Sequence, residues 1–316
     1  MIPGAHPGGS YANKVIMKTT IKDNTSMGDR VFNVFNIVFM TIFAFICFYP
    51  FYYIVINTVS ANHLVDRGNI LLYPIGFHLE NYAKIFKLDR LLPAAVVSVA
   101  RTALGMLFPP LTAAYMGYLF TKDDMLHKKF WYRLMIITMY FSAGMIPHYL
   151  NIRMLGLLNT FWVYVIPSLF PVYSMVLVKT YIESLPSDLE EAAEIDGAGI
   201  FARFTRIILP LSTPILATLS LLAGVGQWNA FQDTLLYIQD YKLYTLQYLL
   251  QLYYKQASNL AIIALESQGQ IDVSRLLTPT SVQLTITVVV TLPIMCVYPF
   301  IQRYYVKGIM IGAIKG

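Results

Sequence analysis

The sequence predicts an all-α integral membrane protein with six transmembrane helices, and three observations lead to this prediction. Hydrophobic residues make up 57 % of the 316 residues, and the mean hydropathy is +0.56. Charged residues make up only 13 %, about half the share that a soluble domain carries. Six apolar runs are long enough to cross about 30 Å of hydrocarbon, which takes roughly 20 residues in a helix.

The six runs define one transmembrane domain over residues 31–306, between tails at 1–30 and 307–316. The predicted spans cover residues 31–57, 92–121, 130–150, 158–182, 207–228 and 280–305. Six spans place both termini on one side, which holds 14 Lys and Arg residues against 8 on the other. Because positive residues concentrate in cytoplasmic loops, both termini are predicted to be cytoplasmic. Residues 1–13 lack the features of a signal peptide, so we expect the first span to be retained.

The remaining composition excludes several classes of partner and site. The net charge is +6, but the Lys and Arg residues are scattered over loops, so no nucleic-acid surface is predicted. Cys47 and Cys296 lie in apolar runs, as small buried hydrophobic residues do. No metal site is predicted, since the acidic residues near 183–196 have no His or Cys close in sequence.

Two ionisable residues stand out in the runs. Arg101 lies well inside the second run and must face a cavity, a partner or a group of carbonyls. It borders either the translocation path or a subunit interface, and the sequence leaves both open. His148, near the end of the third run, is interpreted as an interfacial residue. The central parts of the runs contain no Asp or Glu, which disfavours a proton-coupled transporter, a channel or a membrane-embedded enzyme.

The loop over residues 183–210 is the candidate docking surface for an energy source outside the chain. No phosphate-binding G-x-x-x-x-G-K-[ST] loop occurs in the sequence. Ser187 and Glu190 form a capping-box pattern, and Gly197 suits a C-terminal cap, so a helix is predicted from Asp188 to Asp196. Its small apolar face could enter a groove on another protein and consists of Leu189, Ala192 and Ala193. A second helix is predicted to follow, from Ile200 into the fifth span.

This loop resembles the EAA signature of ABC-importer permeases. The matching residues are Glu191-Ala192-Ala193, Asp196-Gly197-Ala198, Phe204, Ile207, Leu209-Pro210 and Pro214. The resemblance implies a coupling helix that sits in a cleft of an ATPase subunit. It assigns ATPase coupling to Leu189, Glu191, Ala192, Ala193, Asp196, Gly197 and Ala198, and it places ATP and magnesium on the partner ATPases, with no cofactor in this chain.

Further segments are similar to permeases of carbohydrate-uptake importers, close to the six-span member of the maltose-type pair. These are residues 226–231 and the ending 306–316, whose tail is implied to reach between two ATPases. The resemblance implies a bacterial cytoplasmic membrane location and a carbohydrate substrate. It also implies a second, non-identical permease, two ATPase subunits and an extracytoplasmic solute-binding protein as partners.

Four residues are candidates for the substrate path, namely Arg101, Trp228, Asn229 and Phe231. Trp228 and Asn229 offer a ring face and an amide that suit a sugar, although tryptophan also anchors helices at membrane interfaces. An amphipathic helix over residues 241–250 is predicted on the outer surface. A non-sugar cargo, such as a peptide, a polyamine or a phosphate ester, remains an alternative because the EAA loop identifies the motor and not the cargo.

Overall fold

The computed structural model describes residues 27–87, 90–266, 280–293 and 295–296, and all regular secondary structure in these ranges is helical. In chain order the α-helices are α1 Met27–Thr58, α2 Asn62–Asp66, α3 Glu80–Phe86, α4 Leu91–Leu119, α5 Lys128–Tyr140, α6 Met145–Met154, α7 Val172–Ile182, α8 Asp188–Ile195, α9 Ile200–Arg203, α10 Leu209–Leu211, α11 Thr213–Asn229, α12 Gln232–Tyr237, α13 Leu246–Glu266 and α14 Thr280–Pro293. Short 3-10 helices cover Phe161–Tyr164, Ile166–Ser168 and Tyr241–Leu243, and a π-helical turn covers Phe204–Ile208. The predicted tail at 307–316 and the end of the sixth predicted span lie outside the described residues.

Two helices of the described ranges, α1 and α4, are long and apolar enough to cross a membrane as single helices. Two further segments qualify if each bent pair counts as one span. The first pair, Phe161–Ser168 with α7, bends by 44°, and the second, Ile200–Leu211 with α11, bends by 79°. These four segments correspond to the first, second, fourth and fifth apolar runs of the sequence.

The third apolar run, residues 130–150, is not one continuous helix. Residues Phe141–Gly144 separate α5 from α6, and Phe141 is extended while Gly144 has a φ of 86°. Pro147 lies in the first turn of α6, where its missing N–H has no helical partner to lose, so the chain restarts a helix there readily. The interruption leaves four residues of irregular backbone inside an apolar run, which is tolerated only in contact with protein or a cavity.

The chain divides into two compact units, residues 1–50 and 51–316. In the first unit, the described part of α1 has exposed apolar side chains on all sides, such as Val31, Phe39 and Phe45. The second unit contains the buried core. A helix that is apolar all round and exposed requires lipid or another protein around it.

Helix α4 is the centre of the second unit and packs against α7 and α11. Its residue Gly117 permits the crossing with α7, because a Cβ atom there would lie 3.0 Å from the backbone nitrogen of Lys179 and from the carbonyl oxygen of Met175. Small residues allow this close approach of helix backbones in membranes. At the end near residue 118, the core around α4 consists of Ala114, Tyr118, Val178, Ile182, Phe204, Ile208 and Leu219.

Helix α13 begins at Leu246, and the predicted surface helix over 241–250 is wrong in part. Residues 241–243 form a 3-10 turn, and Leu246, Leu249 and Leu250 are buried in a cluster with Trp228. The alternation of Tyr and Leu in this stretch gave the helical periodicity, but the leucines face the core of the second unit.

We expect Trp228→Phe to destabilise the protein by about 1–3 kcal/mol, the usual cost of leaving a buried polar group unpaired. The indole Nε1 of Trp228 donates to the carbonyl oxygen of Val290 at 3.0 Å, and both residues are buried. The unfolding of the purified protein in detergent measures the loss. Trp162→Phe is the matched control, because Trp162 is 54 % exposed; an equal loss in both variants would contradict the assignment.

Candidate functional site

Helix α8 occupies Asp188–Ile195, as the sequence predicts, and ends in a left-handed turn at Gly197. Gly197 has a φ of 79°. Its N–H donates to Glu194 and the N–H of Ala198 donates to Ala193, both at 2.9 Å, which is the hydrogen-bond pattern of a Schellman cap. Nothing lies within 4 Å of a Cβ atom built on Gly197, so its requirement for glycine is conformational.

One face of α8 is open to solvent and combines apolar with acidic side chains. Leu189 is 53 % exposed and Ile195 is 87 % exposed, and Glu191, Ala192 and Asp196 are also exposed. Ala193 and Ala198 are half-buried, so they support the helix from its inner side. The role of this face in binding an ATPase stays a prediction, to which the geometry adds Ile195.

The predicted capping box is wrong, because Glu190 has other partners. No side-chain hydrogen bond caps α8. The Oε1 atom of Glu190 instead accepts from the Tyr118 hydroxyl at 2.6 Å and from the Lys122 ammonium. A buried tyrosine and a lysine at the end of α4 stabilise the carboxylate more than a backbone N–H would. Glu190 therefore connects α8 to α4.

Arg203 extends this contact to α9. Its guanidinium pairs with Glu194 and lies 4.0 Å from Glu190. Phe204, the next residue, packs on the ring of Tyr118 at 5.5 Å. The Lys122 ammonium also lies 4.5 Å from the centre of the Tyr118 ring. The three helices α4, α8 and α9 thus meet at one polar and aromatic cluster.

The charge of Glu190 is stabilised by this cluster. Partial burial alone would raise the pKa of the Glu190 carboxyl, but hydrogen bonds from Lys122 and Tyr118 and the positive charges of Lys122 and Arg203 outweigh it and lower the pKa below its ordinary value. Glu190 is therefore ionised at neutral pH, and its contacts hold throughout that range.

Arg101 is buried in the second unit, and each of its three guanidinium nitrogens donates to one neighbouring segment, residues 227–233. Its Nε donates to Gln227 at 2.5 Å, its Nη1 to the carbonyl oxygen of Ala230 at 3.1 Å, and its Nη2 pairs with Asp233. The guanidinium lies 4.5 Å from the centre of the Tyr164 ring. Arg101 is 2 % exposed, whereas the Asp233 side chain is 38 % exposed. The exposed end of this ion pair is therefore the Asp233 carboxylate.

A cavity of about 700 Å³ lies between the interrupted segment 141–144, helix α6 and helix α12. Its walls include apolar groups and a set of polar side chains, namely Ser142, His148, Asn151, Gln232 and Asp233. The irregular backbone of the third apolar run thus borders a cavity, as the cost of unpaired backbone groups in a membrane requires. A cavity of this size with a few polar groups is typical of a small-molecule site.

The structure separates the other predicted substrate-path residues from this cavity. Trp228 is buried in the core with its N–H bonded to Val290. Asn229 is exposed and its amide donates to Val225 at 2.9 Å, and Phe231 is half-buried. Only Arg101 approaches the cavity, through Asp233. The contribution of these four residues to the substrate path stays a prediction.

Sequence reasoning missed the partners that tertiary structure supplies. Tyr118 is 72 positions from Glu190, and Asp233 is 132 positions from Arg101. The unpaired arginine in an apolar run was a signal that a carboxylate must lie nearby. Gly144 and Pro147 were a signal for the interruption of the third run.

The chain belongs to the family described as binding-protein-dependent transport system inner membrane component, which its sequence matches over residues 24–311. It is thus the permease subunit of an ABC importer, in which partner subunits hydrolyse ATP. The predicted family resemblance, the all-helical membrane fold and the absence of an enzymatic role are confirmed by this membership.

Individual relatives support the same class. The chain is 31 % identical over 293 residues to the polygalacturonan/rhamnogalacturonan transport system permease protein YtcP of Bacillus subtilis. The matched region covers 92 % of this chain and 100 % of YtcP. The chain is 34 % identical over 293 residues to the protein LplC of the same organism, covering 93 % of this chain and 97 % of LplC. A crystal structure of a bacterial ABC transporter involved in import of the acidic polysaccharide alginate contains a chain of the same fold, with a TM-score of 0.78. The two chains are 26 % identical, and the match covers 89 % of this chain and 98 % of that chain.

Proposed function

We propose that this permease moves a carbohydrate into a bacterial cell by ATP-driven alternating access. The observation that carries the proposal is the likeness of nearly the whole chain to a subunit of a polysaccharide importer, at 26 % identity and a TM-score of 0.78. The relative YtcP is also named for the transport of polygalacturonan and rhamnogalacturonan. These names favour a sugar over a peptide or a polyamine as the cargo.

The exposed face of α8 is the docking surface for an ATPase in this proposal. Leu189, Ala192 and Ile195 offer apolar contacts, and the carboxylates of Glu191 and Asp196 suit a basic rim on the partner. ATP binding would close the paired ATPases and move α8, the helix bundle would open outward to receive solute, and hydrolysis would reset it. The turn at Gly197 and the half-buried Ala193 and Ala198 set the angle of α8.

The proposed assembly contains a second, non-identical permease, two ATPase subunits that hold ATP and magnesium, and an extracytoplasmic solute-binding protein. Both termini and α8 lie on the cytoplasmic side of the bacterial plasma membrane, in accord with the distribution of Lys and Arg. The domain bounds remain those of the sequence, with a transmembrane domain over 31–306 and the loop that contains α8 over 183–210. The proposed substrate path keeps the four residues predicted to form or support it, namely Arg101, Trp228, Asn229 and Phe231.

The test is the ATPase activity of the complex in lipid, purified after co-expression with the partner permease and the ATPase. We expect sugar-loaded binding protein to stimulate hydrolysis. Ile195→Asp should reduce ATPase co-purification by about tenfold or more, since it places a charge in an apolar contact. Leu126→Asp is the matched control, because Leu126 is 78 % exposed in the loop before α5. Stimulation by loaded peptide-binding protein, or normal ATPase binding by the Ile195 variant, would contradict the proposal.

A further inference from the structure

Among the described residues, the wall of the cavity beside α12 carries one carboxylate, that of Asp233. Asp233 faces the cavity and is 38 % exposed, while its partner Arg101 lies behind it at 2 % exposure. The residues that line the cavity, all in the described part of the chain, include no Lys or Arg. A solute in the cavity therefore meets the negative end of the ion pair.

Helix α12 is held in place from behind, so the position of Asp233 is fixed. The hydroxyl of Tyr164 lies 2.9 Å from that of Thr234 and donates to the carbonyl oxygen of Leu243 at 2.7 Å. Thr234 is buried and also contacts the hydroxyl of Thr245 at 3.2 Å. A carboxylate on a rigid helix with a fixed counter-ion is a preorganised hydrogen-bond acceptor.

The remaining walls provide the other chemistry that a sugar ring requires. Asn151 and Gln232 carry amides that both donate and accept hydrogen bonds, and Ser142 carries a hydroxyl. The aromatic ring of Phe141 offers a flat apolar surface for the C–H face of a sugar. Hydroxyl groups of a solute can donate to Asp233 and exchange hydrogen bonds with the amides at the same time.

We infer that this cavity is a solute-binding site that accepts an uncharged, polyhydroxylated sugar residue and disfavours a sugar carboxylate. The inference rests on the proposed function and specifies the chemical class of its cargo at this site. A second carboxylate close to Asp233 is repelled, and the charge of Arg101 offsets this only in part because the guanidinium is 2 % exposed and lies behind the carboxylate, farther from the solute. Asp233 thus selects against acidic sugar units by charge.

The experiment measures occupancy of the cavity directly. Ser142→Cys is introduced in a background in which the two natural cysteines are replaced by serine; both are exposed, so the prediction that they are buried is wrong. The complex in lipid is labelled with a maleimide in the presence of trigalacturonate or of its fully methyl-esterified form. These two probes share one sugar chain and differ in charge. We expect the ester to slow labelling of residue 142 at a concentration at least about tenfold lower than the acid, since unit charges a few ångströms apart interact strongly near a protein surface.

Replacing Asp233 by Asn should reverse this order. The amide keeps the size of the side chain but leaves the positive charge of Arg101 uncompensated, so the acid should now protect residue 142 better than the ester. Asn151→Lys supplies a second route to the same result, because it adds a cation to the cavity and leaves the ion pair intact. Asp123→Asn is the matched control, because Asp123 is exposed and pairs with Lys128 away from the cavity.

The outcomes are distinct. Equal or better protection by the acid in the unaltered cavity would overturn the charge selection, and protection by neither probe would overturn the cavity as a binding site. An unchanged order in both the Asp233→Asn and Asn151→Lys variants would also overturn the assignment. None of these three results bears on the import function, which is tested separately by the stimulation of ATP hydrolysis by loaded binding protein.

Discussion

Gly197→Val is expected to abolish sugar uptake while the chain still inserts into the membrane and the complex still assembles. A β-branched residue at a φ of 79° carries a strain of about 1–3 kcal/mol, and the turn relieves it by leaving the left-handed region. The two hydrogen bonds from Gly197 and Ala198 that cap α8 are then lost. Because α8 changes its angle to α9, loaded binding protein should no longer stimulate ATP hydrolysis.

Gly199→Val is the matched control for this prediction. Gly199 lies two residues away, has a φ of −63°, and has nothing within 4 Å of a Cβ atom, so valine fits there without strain. Gly197→Asn should retain part of the activity, since asparagine tolerates the left-handed conformation better than valine does. Uptake and stimulated ATPase activity are measured side by side. Equal losses at residues 197 and 199 would mean that the turn conformation is not the cause.

Glu190→Gln should uncouple α8 from α4 with basal ATPase activity retained. The substitution removes the ion pair with Lys122 and weakens the bond from Tyr118. Hydrogen bonds to a charged group contribute about 1.5–3 kcal/mol each, so uptake should fall by about tenfold or more. Glu183→Gln is the matched control. Its ion pair with Lys179 joins residues four apart, its own side chain is 46 % exposed, and i,i+4 helix pairs contribute about 0.3–0.5 kcal/mol.

The pH dependence separates this role from a loss of packing. The pKa of Glu190 is lowered in the folded protein, so its stabilising contribution is fully present above the ordinary glutamate value of about 4.3 and is lost as the pH falls through the lowered pKa. The difference in stability between the unaltered protein and Glu190→Gln should therefore be constant between about pH 6 and 8 and vanish in acid. A difference that persists at the lowest pH would show that the amide perturbs packing instead.

Features that depend on residues close together in the sequence could be predicted, and features that depend on distant residues could not. Helix α8 and its turn were predicted because the signals, from Asp188 to Gly197, are local in the chain. Helices α1 and α4 were predicted because hydropathy alone marks a long apolar helix. The partners of Glu190 and Arg101 were not predictable, since only the packing of α4 against distant helices brings Tyr118 and Asp233 to them.

Hydropathy also failed where an apolar run contains irregular backbone. The average hydropathy of residues 130–150 is that of a membrane span, yet Phe141–Gly144 are not helical and border the cavity. Similarly, the helical period near residue 246 was assigned to the outer surface, because periodicity does not indicate which neighbour covers an apolar face. The cavity that we infer to bind solute lies at the first of these two places, beside residues 141–144.

The length of α1 has a consequence for how this helix matches the bilayer. A helix of 32 residues extends about 48 Å, which exceeds the hydrocarbon thickness of about 30 Å. Its last residues are polar and bonded to the following loop, with Asn57 donating to Ile70 and Thr58 contacting the Tyr82 hydroxyl at 2.8 Å. Asn57 and Thr58 are both buried, so protein and not lipid surrounds this end of the helix. The last turn of α1 therefore belongs to the packed part of the protein, which shortens the length of apolar helix that the bilayer has to match.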